Sequence, residues 1–104
     1  MNLTATLLND ILAMFQQFGP TRAIPVEDRW KQAYPDASGE ELQQWRIFCE
    51  ELEKYALTLA HQVQNHKLDE KSAVLDLKQK YPDLSNRRLG DTFHQALYFA
   101  MSCP

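Results

Sequence analysis

The chain has 104 residues, of which 44% are hydrophobic and 24% charged, with a net charge of −3. That is enough apolar material for one globular domain over residues 1–104, and too much for a disordered or fibrous chain. A pI near 5.5 argues against a dedicated nucleic-acid binder, because phosphate neutralisation needs a basic footprint.

The first predicted element is an amphipathic helix carrying Leu3, Leu7, Leu8, Ile11, Leu12, Phe15 and Phe18 at helical spacing. Gly19-Pro20 stops it. Its polar residues include no base, so the apolar stripe is assigned to the core rather than to a membrane surface. Asn9-Asp10 interrupts the stripe and no basic segment precedes it, so it does not read as a signal peptide. No apolar run approaches the ~20 residues of a membrane span, and a cytoplasmic location without membrane contact is expected.

Pro25 opens a short second helix with Val26, Trp30, Ala33 and Tyr34 on its inner face. Pro35 ends it, because the residue before a proline is pushed out of the α region. Ser38-Gly39-Glu40-Glu41 is a capping box for a long third helix. Leu42, Trp45, Cys49, Leu52, Ala56, Leu59 and Val63 alternate in steps of three and four along it, to an end near Asn65-His66. Asp69 caps a fourth helix with Ala73, Val74 and Leu77 inside, ended by Tyr81-Pro82. Ser85 caps a fifth with Leu89, Phe93, Ala96, Leu97 and Ala100 inside. Gly90 weakens that helix and is read as permitting a close helix crossing. No strand pattern occurs.

One correspondence organises these elements. Residues 30–42 match residues 77–89 at an offset of 47, with seven identities in thirteen ungapped positions. The shared Lys, Gln, Tyr, Pro, Asp and Ser spell a helix end, a corner and a new helix start. The predicted fold is all-α: a compact bundle of about five helices. One leading helix precedes two helix-corner-helix units, related by an internal repeat over 26–66 and 73–102. In each corner the tyrosine is read as a structural plug.

The candidate chemistry is sparse. His61 and His66 lie five apart on one helix, which does not bring both to one metal, and His94 has no second ligand at usable spacing. Cys49 and Cys103 form no metal or redox motif and are read as reduced thiols, the first buried. Three glycines, Gly19, Gly39 and Gly90, make no phosphate-cradling loop. No catalytic, metal or cofactor site is therefore expected.

Two readings follow. The first is a non-enzymatic protein-interaction or regulatory module. It presents an acidic face of Glu40, Glu50, Glu51 and Glu53 to a basic partner protein or to a copy of itself. The second is a helix-turn-helix-like DNA regulator reading through the helix after Ser85. Asn86, Arg87 and Arg88 would contact bases from its first turn, and Lys78 and Lys80 would touch phosphate. Residues 1–66 carry nine acids against five bases and residues 67–104 five against six, so any basic surface belongs to the second part. The net charge places the interaction module first.

Overall fold

A computed structural model describes residues 4–16 and 24–102. They form five α-helices and no strand: α1 (Ala5–Phe15), α2 (Val26–Ala33), α3 (Gly39–Gln64), α4 (Glu70–Lys80) and α5 (Asn86–Ser102). The all-α class read from the sequence is observed. The chain divides into two compact units, Met1–Glu50 and Glu51–Pro104, and α3 runs through both. The predicted stop at Gly19-Pro20, together with Leu3, Phe18 and Cys103, lies outside the described residues.

Local chemistry sets each helix start. The Thr4 hydroxyl accepts from the Leu7 N–H at 3.2 Å. The Asp69 carboxylate accepts from the Ser72 N–H at 2.6 Å. Ser38 and Glu41 form the reciprocal capping box: each backbone N–H donates to the other's side chain at 3.1 Å. Ser85 accepts from the Arg88 N–H at 3.1 Å. Each side chain satisfies an amide that the first helical turn leaves without a partner.

These backbone bonds hold the Asp69 and Glu41 carboxyls below the ordinary carboxylate range. The fold therefore favours their charged forms. The resulting stability is complete above the unfolded value near 4 and is lost as pH falls through the lower folded value. Acid titration followed by circular dichroism should show helicity falling below about pH 4. Asp69→Asn with Glu41→Gln should flatten that limb; an identical limb in the variant would show that the caps do not set it.

In the unit Met1–Glu50 the core is aromatic. Trp30 is fully buried with Ile11 and Leu12. Its ring stacks on Phe15 at 6.3 Å and meets Trp45 edge-on at 5.8 Å, and its indole N–H donates to the Ile11 carbonyl at 3.3 Å. Arg29 is buried as well. Its guanidinium donates to the carbonyls of Met14 (2.6 Å) and Ile24 (3.1 Å), tying the segments around α2 to the end of α1. Ala33, predicted on the inner face, is exposed: i,i+3 and i,i+4 spacing puts it on the same side as the buried Trp30 and Arg29, but it is the last residue of the helix.

In the unit Glu51–Pro104, Leu52, Ala56 and Ala60 of α3, Ala73 and Leu77 of α4, and Leu89 and Phe93 of α5 are fully buried. Gly90 meets nothing within 4 Å of a Cβ placed on it, so it permits no close helix crossing. Gly90→Ala should accordingly stabilise the protein by about 0.5–1 kcal/mol in urea unfolding, through helix propensity and unfolded-chain entropy. A loss of stability would mean that the helix needs the glycine for a reason other than space.

The end of α3 has a specific stop. His66 adopts a left-handed conformation with φ 60°. The His66 N–H donates to the Val63 carbonyl at 3.0 Å and the Lys67 N–H to the Gln62 carbonyl at 2.8 Å. These are the two bonds of a Schellman cap, with histidine where glycine is commonest.

The two corners are closed by matching bonds. Tyr34 and Tyr81 leave the helix at φ −129°, ψ 76° and φ −126°, ψ 66°. The Ala37 N–H donates to the Tyr34 carbonyl and the Leu84 N–H to the Tyr81 carbonyl, at 3.1 and 3.2 Å. Lys31 Nζ donates to the Ala37 carbonyl at 2.6 Å, and Lys78 Nζ to the Leu84 carbonyl at 2.7 Å. The fully buried plug of each corner is Ala37 or Leu84, while both tyrosines are half-buried.

Candidate functional site

The residues named for a DNA-reading helix take up separate roles. Asn86 and Arg87 are exposed in the first turn of α5. Arg88 is half-buried and lies 3.8 Å from the Asp91 carboxylate. The Lys78 ammonium donates to the carbonyls of both Pro82 (3.0 Å) and Leu84 (2.7 Å), so the corner holds it in place. Lys80 Nζ sits over the Tyr55 ring at 4.0 Å and lies 6.0 Å from the Tyr81 ring. Lys78 and Lys80 thus each have contacts within the second unit, to backbone carbonyls and to an aromatic face.

The four glutamates are all exposed on α3, but they do not share a face. At 100° per residue they fan over about 160° of the helix circumference. Glu50 accepts from Arg46 at 2.9 Å, and Arg46 also reaches Glu27 at 2.5 Å. Glu51 borders a shallow open depression of about 440 Å³ with Lys54, Tyr55, Thr58, Lys80 and Tyr81. The Tyr55 hydroxyl donates a very short hydrogen bond to Asp76, which keeps it protonated above the ordinary tyrosine range. Both signs of charge line this depression, and its aromatic floor is covered by Lys80. Among the described residues no group of His, Cys, Asp and Glu could hold a metal ion, and Cys49 is buried.

The surface that stands out is the outward side of α5. Tyr98 is 69% exposed, Met101 66% and Phe99 45%. Tyr98 and Phe99 touch edge-on at 6.1 Å. Opposite them, Leu89, Phe93, Ala96 and Ala100 are buried and fix the rotation of the helix. The exposed side repeats in steps of four and three: Arg87, Asp91, His94, Tyr98 and Met101. This second stripe runs parallel to the core stripe and is offset from it. It is not apolar along its whole length, so a search for hydrophobic periodicity passes over it. The available sequence signal is the repeated 4-3-4-3 spacing of large side chains.

Among the described residues no helix is long and apolar enough to cross a membrane. No family model, curated protein or solved structure matches the chain.

Proposed function

We propose that the chain is a non-enzymatic protein-interaction module and that its interface is the outward side of α5. The observation that carries this reading is the exposure of Tyr98, Phe99 and Met101 within two turns of one helix. Single exposed apolar residues are ordinary, whereas adjoining large ones rimmed by polar side chains mark contact surfaces. Tyrosine and methionine are also among the residues enriched where proteins meet. The scattered directions of Glu40, Glu50, Glu51 and Glu53 make them solvating groups in this reading.

A photo-crosslinking amino acid placed at position 98 tests it in cells. Adducts are expected from position 98 and not from the exposed position Lys71 on α4. No adduct from position 98 would remove α5 as an interface.

The DNA alternative retains only Asn86 and Arg87 as exposed first-turn groups. Fluorescence anisotropy with mixed duplex across a salt series should show no binding at low salt. Salt-dependent binding that Arg87→Ala/Arg88→Ala abolishes would restore that alternative.

A further inference from the structure

We draw no further inference here: the strongest candidate, the exposed patch of Tyr98, Phe99 and Met101 on the outward side of α5, carries nothing beyond the interaction reading above, because nothing in the structure shows what covers it.

Discussion

Trp30→Ala is expected to destabilise the protein by about 3–5 kcal/mol, the range for deleting a fully buried large aromatic. The indole has no exposed surface and lies between the Phe15 ring and the edge-on Trp45 ring. Truncation removes both aromatic contacts, opens a cavity and leaves the Ile11 carbonyl without the indole N–H. Domains of this size are stable by only about 5–15 kcal/mol, so the variant should be partly unfolded at moderate urea. Trp30→Phe keeps much of the apolar volume while losing the hydrogen bond, and a cost of about 1–2 kcal/mol is expected from that loss together with imperfect packing. The urea midpoint measures both. A Trp30→Ala loss below about 1 kcal/mol would contradict its place at the centre of the core.

Phe93→Ala is expected to cost a similar ~3–5 kcal/mol. The ring is fully buried on the inner side of α5. Phe99, six residues on along the same helix, supplies the control because it is 45% exposed. Phe99→Ala should change the stability of the dilute protein by no more than about 0.5 kcal/mol. The two variants share side-chain chemistry and helix and differ mainly in burial, so thermal unfolding of the pair reads the orientation of α5 directly. Equal losses would place the wrong side of the helix inward. The orientation also matters for the proposed interface, because the same rotation that buries Phe93 exposes Tyr98 and Met101.

The boundaries of the helices were legible in the sequence because they are local. A proline after Tyr34 or Tyr81 denies that residue the α region, and Ser38, Asp69 or Ser85 supplies an oxygen within three residues of the amide that needs it. The buried stripes of α3 and α5 were equally legible, since a side chain's angular position follows from 3.6 residues per turn. The left-handed stop at His66 was not, because histidine carries no strong signal for that conformation and glycine does.

Burial of particular groups was decided by tertiary structure, since it depends on which distant segments supply neighbours. Arg29 is buried because carbonyls of Met14 and Ile24 receive its guanidinium, an arrangement no pattern along α2 announces. Lys78 reads as a free cation in the sequence and becomes a bridge across its corner once the chain turns at Pro82. Gly90 suggests a close crossing until the surrounding space proves empty. The sequence by itself determined where the helices begin and end and which side of α5 faces the core, because caps and periodicity act over a few residues. Which charges remain available, and that the side of α5 carrying Tyr98 and Met101 stays uncovered, were settled only by the tertiary structure, because exposure is a property of the neighbours that folding brings together.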